Sequence, residues 1–309
     1  MAEFAFSHVP VMLHEAVDGL NIRPDGVYVD CTTGGGGHSY EIASRLTEGG
    51  RLICFDRDPE AIAAASKRLS AFSDRITFVN RNFLELLDVL DGQQVDGVLI
   101  DLGVSSYQLD NPERGFSYMH DAPLDMRMNR TEGMTAYDVV NTYSREDLIR
   151  IFRDYGEERF AAKIASSIVY KRENAPIKTT HELAEIAKKA IPNATKVDAH
   201  PEKRIFQAIR IEVNGELEII PPTVRNITAS LKSGGRISVI TFHSLEDRLV
   251  KQTYAELAKG CTCPPRLPVC VCGKKPQLKL CGKAILPSEE ELAINSRSAS
   301  AKLRVAEKI

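Results

Sequence analysis

The chain has 309 residues, of which 43% are hydrophobic and 27% are charged, and this balance is typical of a globular protein with a full core. The length predicts two domains, or one domain with a large insertion. Residues 1–11 contain no basic stretch followed by an apolar core, and no apolar run approaches the roughly 20 residues that cross a bilayer, so we expect neither a secretion signal nor a membrane partner.

The net charge of −2 is unevenly distributed along the chain. Residues 1–110 hold 8 Lys and Arg against 17 Asp and Glu, residues 111–309 hold 32 against 25, and residues 159–210 hold 11 against 5. A local positive excess suits binding to an anionic polymer such as RNA, although a solvated basic face has the same composition. Because there is no secretion signal, we expect the seven cysteines to be reduced thiols in a cytoplasmic protein.

The first hundred residues alternate between strand and helix patterns. Apolar, β-branched runs predict four strands, and a helix between the second and third strands has Ile62, Ala65 and Leu69 on one face. This βαβα order is typical of a parallel sheet with right-handed crossovers. The predicted strands are Val27–Cys31, Arg51–Phe55, Ile76–Asn80 and Gly97–Asp101, and the predicted helix is Pro59–Leu69.

After Asp101 this alternation stops. Asn111–Thr135 has no sustained period and predicts a long loop. Ser144 and Thr179 are each followed three residues later by an acid, which is the usual start of a helix. We therefore expect an inserted helical domain at residues 111–205, with residues 1–110 and 206–309 together forming the sheet domain, and the inserted domain is our candidate for RNA recognition.

The sheet pattern returns in the last part of the chain. A helix is predicted to end at Lys232–Gly235, and a β-branched strand at Arg236–Phe242 and a helix at Leu245–Leu257 follow it. Lys259–Gly282 is rich in Pro, Lys and Cys and predicts a surface segment, and a final strand is expected at Ala301–Ala306. The fold class is thus α/β, with a doubly wound, Rossmann-like sheet and an inserted helical domain.

Four glycines, Gly34–Gly37, lie where the first predicted strand passes into a helix, a join that lets a ligand approach the backbone. A dinucleotide-binding motif would need glycine at the sixth position counted from Gly34, where this chain has Ser39. Acids end the second and fourth strand segments, at Asp56 and Asp101. This combination suits S-adenosylmethionine, with Asp56 accepting hydrogen bonds from the ribose hydroxyls. A tight glycine turn with Asp56 as a helix cap would leave the same pattern.

Further residues complete the predicted cofactor crevice. Gly36, Gly37 and His38 bring backbone toward the methionine portion of the cofactor. Phe83 follows the third strand and is a candidate to stack on the adenine, or else is a plain core residue. Asp101 lies beside the place where a transferable methyl group points, and an exocyclic amine needs acceptors for its protons. Asp101 is therefore the candidate catalytic residue for methylation of an amino group.

The chain resembles the bacterial small-subunit ribosomal RNA cytosine-N4 methyltransferases over nearly its whole length. The resemblance rests on strings that are long enough to be specific. They are His8–Leu13, Asp30–His38, Asp56–Pro59, Asp101–Ser106, Gln108–Asp110, Glu113–Ser117, Leu124–Met128, Tyr155–Phe160, His200–Pro201, Phe206–Arg210, Thr241–Arg248 and Ser300–Val305.

This resemblance implies a class I methyltransferase sheet and transfer of a methyl group from S-adenosylmethionine to N4 of a cytidine in the decoding region of small-subunit ribosomal RNA. The expected partner is this RNA within a small ribosomal subunit particle, and pairing into a homodimer stays open. Tyr107 stands where the family usually has proline, and the cysteine-rich segment is not general in the family. The cofactor contacts that the resemblance implies are Gly36, Gly37, His38, Asp56, Phe83, Asp101 and Gln108.

The target cytosine must leave its stack to reach the cofactor. Phe116 and Tyr118 are candidates to stack on that base, and Arg114 and Arg127 are candidates to hold phosphates. Packing of the loop against the core explains these four residues equally well. His243 follows a predicted strand, and we expect it to make a structural hydrogen bond.

Cys261, Cys263, Cys270 and Cys272 offer four thiols in two C-x-C pairs. Zinc ligands are usually spaced C-x₂₋₄-C. The spacing therefore favours free surface thiols, and we predict no metal site, with zinc as the alternative.

Two other functions fit parts of the sequence. A nicotinamide-dependent (NAD) oxidoreductase would use a similar sheet, but Ser39 and an acid at Asp101 disfavour it. A noncatalytic RNA-binding factor for ribosome assembly would need the basic residues but not the glycine loop. Binding of S-adenosylmethionine, of NAD or of neither separates the three functions.

Overall fold

The computed structural model describes residues 10–191, 200–261, 263–264, 269 and 271–309. The chain divides into two compact units. The first consists of Met1–Gly103 and Leu217–Ile309, and the second is Val104–Glu216.

The second unit is longer at both ends than the predicted insertion at residues 111–205. It starts earlier because Val104 and Leu109 pack against its hydrophobic core. It ends later because one helix, Pro201–Asn214, runs through the predicted boundary and buries Phe206 and Ile209 in the same core.

The first unit is built on a seven-stranded sheet with helices on both faces, which confirms the predicted α/β fold. The strands are β1 (Val27–Asp30), β2 (Arg51–Phe55), β3 (Ile76–Val79), β4 (Val95–Asp101), β5 (Leu231–Thr241), β6 (Leu278–Leu280) and β7 (Lys302–Lys308). Their order in the sheet is β3-β2-β1-β4-β5-β7-β6. The first five strands are parallel, and β7 runs antiparallel to both of its neighbours. The strand order reverses between β1 and β4, which is where doubly wound sheets bind ligands.

Thirteen α-helices lie within the described residues. Among these residues, no helix combines the length and the apolar character that a membrane span requires. The helices of the first unit are α1 (Leu13–Gly19), α2 (Gly37–Ser44), α3 (Pro59–Arg68), α4 (Leu86–Leu90), α11 (Ile220–Ser230), α12 (Ser244–Ala258) and α13 (Glu289–Ile294). Those of the second unit are α5 (Ser106–Asp110), α6 (Ala136–Thr142), α7 (Arg145–Asp154), α8 (Ala161–Asn174), α9 (Thr180–Ala190) and α10 (Pro201–Asn214).

Apolar residues on both faces of the strands explain why helices cover the sheet on each side. Successive side chains of a strand point to opposite faces. Val29 and Val98 pack in one buried cluster with residues of α4, α11 and α12. Their chain neighbours Tyr28 and Leu99 point to the opposite face and pack in the other cluster with residues of α1, α2 and α3. This near-continuous apolar pattern is typical of parallel strands that are buried on both faces.

Most predicted elements of the first unit are present within two residues of the predicted ends, and the exceptions lie around β5 and β6. Lys232–Gly235, predicted to end a helix, belongs to β5 instead. Gly234, at φ +79°, absorbs a register shift between β4 and β5, so the strand continues through the glycines. Lys259–Gly282, predicted to be a surface segment, contains the edge strand β6, which is anchored by the buried side chain of Leu278.

Asp96 links three parallel strands near their amino-terminal ends. Its Oδ2 accepts a hydrogen bond from the backbone N–H of Val27 at 2.9 Å and another from Nζ of Lys232 at 2.7 Å. Burial alone would raise the pKa of Asp96, but the hydrogen bonds from Lys232 and Val27, together with the charges of Lys232 and Arg23, leave that pKa below its ordinary value. Ionised Asp96 therefore stabilises the fold at neutral pH.

Candidate active site

The glycine loop joins β1 to α2 at the carboxyl edge of the sheet. Gly34 and Gly36 have φ angles of +50° and +76°, which favour glycine at both positions. A Cβ atom added at Gly37 would overlap the ring of Pro10. The backbone angles thus favour glycine at Gly34 and Gly36, and the ring of Pro10 leaves no room for a side chain at Gly37.

Asp56 follows β2 and fixes the glycine loop. Its Oδ2 accepts the N–H of Gly34 at 2.8 Å, and its Oδ1 accepts the N–H of Asp58 at 2.9 Å. Asp58, not Asp56, caps α3, because it accepts the N–H of Glu60 at 3.0 Å. Burial raises the pKa of Asp56 to about 6, although the two backbone hydrogen bonds act against this shift. Each carboxylate oxygen has a second lone pair, so Asp56 retains capacity to accept hydrogen bonds.

Asp30, the last residue of β1, is fully buried. Its Oδ2 accepts the hydroxyl hydrogen of Ser39 at 2.6 Å, and its Oδ1 accepts the N–H of Thr32 at 3.1 Å. Oγ1 of Thr32 in turn accepts the N–H of Asp101 at 2.6 Å, which ties the end of β1 to the end of β4. Burial raises the pKa of Asp30 to about 6. Neither Asp30 nor Thr32 is among the predicted site residues, although Asp30 ends a strand just as Asp101 does.

Asp101, the last residue of β4, has an incompletely satisfied carboxyl group. A quarter of its side chain is exposed, but its Oδ1 is buried and finds no hydrogen-bond partner among the described residues. Burial, followed by the charges of Asp30 and Glu246, raises the pKa of Asp101 well above its ordinary value. This carboxyl group therefore holds its proton more tightly than an exposed aspartate does.

His38 faces Asp101 from the first turn of α2. Its Nδ1 lies 3.8 Å from Oδ2 of Asp101, which is longer than a hydrogen bond. Its Nε2 lies 3.1 Å from the carbonyl oxygen of Val11, and because that oxygen only accepts, we assign the hydrogen to Nε2. Burial lowers the pKa of His38 to about 4. The imidazole is therefore neutral at pH 7, with the lone pair of Nδ1 toward Asp101.

The other predicted cofactor contacts lie in different parts of the chain. Phe83 begins a short 3₁₀ turn after β3 and packs, partly buried, against the core on one face of the sheet. Gln108 belongs to the second unit, where it is buried and its Oε1 accepts the N–H of Ser105 at 3.1 Å to cap α5. The first unit brings together the remaining predicted residues, which are Gly36, Gly37, His38, Asp56 and Asp101.

Structural roles explain the residues that were candidates for RNA contacts. Arg114 is 1% exposed and its Nη2 donates to the carbonyl oxygen of Met128 at 2.8 Å, and Phe116 is buried in the core of the second unit. The predicted phosphate contact by Arg114 and base stacking by Phe116 are therefore wrong, because neither side chain reaches the surface. Arg127 pairs with Asp125 at 2.8 Å, and Tyr118 packs edge-on against a core phenylalanine.

His243 makes the structural contact that the sequence predicts. It caps α12 together with Glu246, whose Oε2 accepts the N–H of Phe242 at 2.7 Å and that of His243 at 3.2 Å. Glu246 is 1% exposed, and its charge is one of the causes of the raised pKa of Asp101.

The donor set of this edge fits S-adenosylmethionine better than a dinucleotide. Asp30, Asp56 and Asp101 place three carboxyl groups at the ends of adjacent parallel strands. This negative charge would repel the pyrophosphate of NAD but attract a sulfonium cation. The unpartnered Oδ1 of Asp101 and the remaining acceptor capacity of Asp56 suit a ligand that brings positive charge and hydroxyl groups.

Comparison with known proteins identifies the family, because the family model described as the MraW methylase family matches residues 5–309. The chain belongs to the MraW methylase family. It is 57% identical to the Ribosomal RNA small subunit methyltransferase H of Clostridium botulinum (strain Loch Maree / Type A3) over 308 residues, covering 98% of this chain and 99% of the relative. It is 54% identical to the protein of the same name from Clostridioides difficile (strain 630), again over 98% and 99% of the two chains. A crystal structure of an rRNA methylase from Streptococcus thermophilus aligns with 98% of this chain and 99% of its own, at a TM-score of 0.44 and 11% identity.

Membership in the MraW methylase family confirms the family that the sequence resembles. The chain is a methyltransferase, and S-adenosylmethionine is its cofactor. The oxidoreductase and the noncatalytic assembly factor are accordingly not favoured.

We expect Asp101→Asn to raise the thermal midpoint of the ligand-free protein at pH 8. The pKa of Asp101 is raised in the folded state, so stability is lost as the pH rises through that pKa and a buried carboxyl group must ionise. Asparagine removes this charge. Scanning calorimetry should show a gain of about 2 °C or more at pH 8, shrinking toward pH 5 as the wild-type carboxyl group takes up its proton.

Asp96→Asn is the matched control for this substitution, because Asp96 lies in the same strand and its pKa is lowered by its partners. Its removal should lower the midpoint at pH 8. A midpoint of Asp101→Asn at or below that of the wild-type protein at pH 8 would contradict an uncompensated charge at Asp101.

Proposed function

We propose that this chain methylates the exocyclic N4 of a cytidine in the decoding region of small-subunit ribosomal RNA. Near full-length identity with proteins named Ribosomal RNA small subunit methyltransferase H supports the RNA substrate. The sequence strings of the cytosine-N4 methyltransferases support the base and the atom. The observation in the site that carries the proposal is the unpartnered Oδ1 of Asp101 at the carboxyl end of β4.

S-adenosylmethionine, when bound, supplies a methyl group that its sulfonium already activates. Gly36, Gly37 and His38 are the residues that would hold its methionine portion, and Asp56 would accept hydrogen bonds from its ribose. Phe83, in the 3₁₀ turn that follows β3, the strand next to β2, would stack on the adenine. Gln108, in the second unit, is the remaining proposed contact. Positioning is then the main contribution of the protein to the rate.

We assign to Asp101 the role of proton acceptor for the exocyclic amine of cytosine. N4 of cytosine loses a proton when it is methylated, and its lone pair is delocalised into the ring, so a nearby acceptor assists the reaction. The raised pKa of Asp101 makes its carboxylate a stronger base than an exposed aspartate. The neutral imidazole of His38 faces the same carboxyl group and adds no positive charge that would weaken the base.

Asp56→Ala should weaken binding of S-adenosylmethionine by about 2–4 kcal/mol, because two hydroxyl groups lose a charged acceptor. Isothermal titration calorimetry measures this loss, and Asp56→Asn, which keeps one acceptor oxygen, should lose less. Asp88→Ala, in which an exposed acid of α4 is removed, is the control and should bind as the wild type does. Unchanged affinity of Asp56→Ala would place the ribose elsewhere.

Asp101→Asn should lower turnover about 100-fold or more while changing cofactor affinity much less, because the amine needs its acceptor in the transition state. The assay uses small ribosomal subunits that lack the modification, and nucleoside mass spectrometry identifies the methylated base. Turnover of the wild type should rise with pH as Asp101 ionises, and the variant should lose this dependence. Equal losses in turnover and affinity would reduce Asp101 to a cofactor contact, and a methyl group on another base or atom would overturn the proposed reaction.

The proposed substrate is the ribosomal particle, and the proposed setting is the cytoplasm. Rates on assembled small subunits and on free RNA, measured in the same assay, separate the two forms of substrate. Mass photometry of the same preparations shows whether two copies of the enzyme pair.

An exposed face of α8 in the second unit supports RNA binding. We define the α8 face as Arg159, Lys163, Tyr170 and Lys171, all of which are exposed, with Tyr170 at 71%. Positions 163, 170 and 171 are spaced to lie on one side of the helix. Within the described part of the chain, none of these three cations forms an ion pair. Arg159 and Lys163 lie over the ring of the neighbouring Phe160. Exposed cationic side chains and the exposed ring of Tyr170 suit phosphates and an unstacked base.

Other basic residues of the same segment are less available. Lys188, Lys189 and Arg204 lie within 4.0 Å of acids, which are Glu202, Glu185 and Glu158 respectively. Their charges are therefore partly neutralised inside the second unit. The contrast favours the α8 face over these residues as the site of phosphate contacts.

Replacement of Lys163 and Lys171 by Glu should weaken RNA binding and reduce its logarithmic salt slope by about 1–2, because two phosphate contacts are lost. Filter binding at several salt concentrations measures the slope. The control replaces Lys251 and Lys279 by Glu, which makes the same change in charge at exposed positions of the first unit. Equal effects of the two double variants would argue against a specific role of the α8 face.

A further inference from the structure

Three cysteine side chains converge between α12 and β6 of the first unit. The Sγ atoms of Cys261, Cys263 and Cys272 all lie within 4.8 Å of one another. We propose that their thiolates bind a zinc ion that orders this segment. Cys270, the remaining member of the two C-x-C pairs, lies outside the described residues.

The spacing of the sulfur atoms fits a metal centre. Sγ of Cys272 lies 3.7 Å from Sγ of Cys261. Two sulfurs of a tetrahedral zinc site, each about 2.3 Å from the metal, lie about 3.8 Å apart. A disulfide bond needs about 2.05 Å. The two cysteines are therefore placed as ligands of one ion rather than as a bonded pair.

Backbone groups donate to these sulfur atoms. The N–H of Cys263 lies 3.4 Å from Sγ of Cys261, and the N–H of Val271 lies 3.4 Å from Sγ of Cys263. Hydrogen bonds to ligand atoms hold them in the orientation that a metal site needs. Thiolates select soft or borderline ions such as Zn²⁺ over Mg²⁺ or Ca²⁺.

The described residues of the segment that holds the cysteines have few other contacts that would order them. Its described residues form no helix or strand, and Val269 and Val271 are 70% and 78% exposed. The N–H of Gln277 donates to the carbonyl oxygen of Leu257 at 2.8 Å and closes the base of the segment. A segment without its own core gains folding free energy from a bound metal. A structural zinc ion therefore suits this position.

The C-x-C spacing argues against zinc only when each pair is considered alone. Here the two pairs contribute ligands to the same point, because Cys272 lies eleven positions after Cys261 yet approaches its sulfur. The prediction of no metal site rested on spacing along the chain, which does not report this approach.

The first test uses the full-length wild-type protein, purified without chelator and dialysed against buffer with trace zinc. Elemental mass spectrometry should find about one zinc ion per chain, and X-ray absorption spectroscopy should find at least three sulfur neighbours at about 2.3 Å. Absence of retained zinc, an oxygen and nitrogen shell in place of sulfur, or a disulfide between Cys261 and Cys272 in the intact mass would overturn the proposal.

Single substitutions locate the ion. Cys261→Ser, Cys263→Ser and Cys272→Ser should each lose most of the zinc. Cys281→Ser is the matched control, because that thiol lies outside the cluster and contacts the carbonyl oxygen of Lys279 at 3.9 Å. In the wild type, removal of zinc should accelerate protease cleavage between residues 259 and 277. Unchanged zinc content in the three cluster variants, or equal loss in Cys281→Ser, would place the ion elsewhere.

Discussion

The parallel alignment of β1, β2 and β4 is the constraint on which the active site depends, because it gathers carboxyl groups at one edge of the sheet. Asp30, the last residue of β1, pairs in register with Cys54 and Leu99, so the three strands end within two residues of one another. Buried like charges oppose folding unless hydrogen bonds or opposite charges compensate them. Ser39 and Thr32 compensate Asp30, and backbone N–H groups compensate Asp56. At Asp101 the compensation is incomplete, so a cationic ligand would relieve a cost that the fold carries by itself.

Local patterns predict most of the sheet because the central strands β1, β4 and β5 are largely buried and therefore form apolar, β-branched runs in the sequence. The two errors have specific causes. Gly234 and Gly235 resemble the end of a helix, but they accommodate a register shift within β5 that depends on its partner β4. Strand β6 has three residues, of which only Leu278 is buried, so its sequence shows no apolar alternation. It is a strand because it pairs with β7.

The glycine loop and the position of Asp56 beside it were predictable from nearby sequence, whereas the hydrogen bond that Asp56 accepts from Gly34 was not among the predictions. The glycines adopt backbone angles that favour this residue, and an acid that ends a strand beside such a loop is placed to accept hydrogen bonds from it. Thr32 was not predictable in the same way, because its hydrogen bond to Asp101 spans 69 positions. Arg114 was a candidate for RNA contacts because its true partners are also distant in the sequence. Nothing near it in sequence reveals that its buried Nη2 donates to carbonyl groups more than ten positions later.

The two aspartates of β4 show how the fold separates scaffold from site. Both belong to one buried strand. Asp96, near its start, is paired with Lys232 and has a lowered pKa, whereas Asp101, at its end, faces Asp30 and Glu246 and has a raised pKa. Lys232 lies at the edge where the parallel strands begin, and the incompletely compensated carboxyl group of Asp101 lies at the edge where they end. Membership in the methylase family identifies the reaction, and this asymmetry along a single strand indicates which of its charges is available to take part.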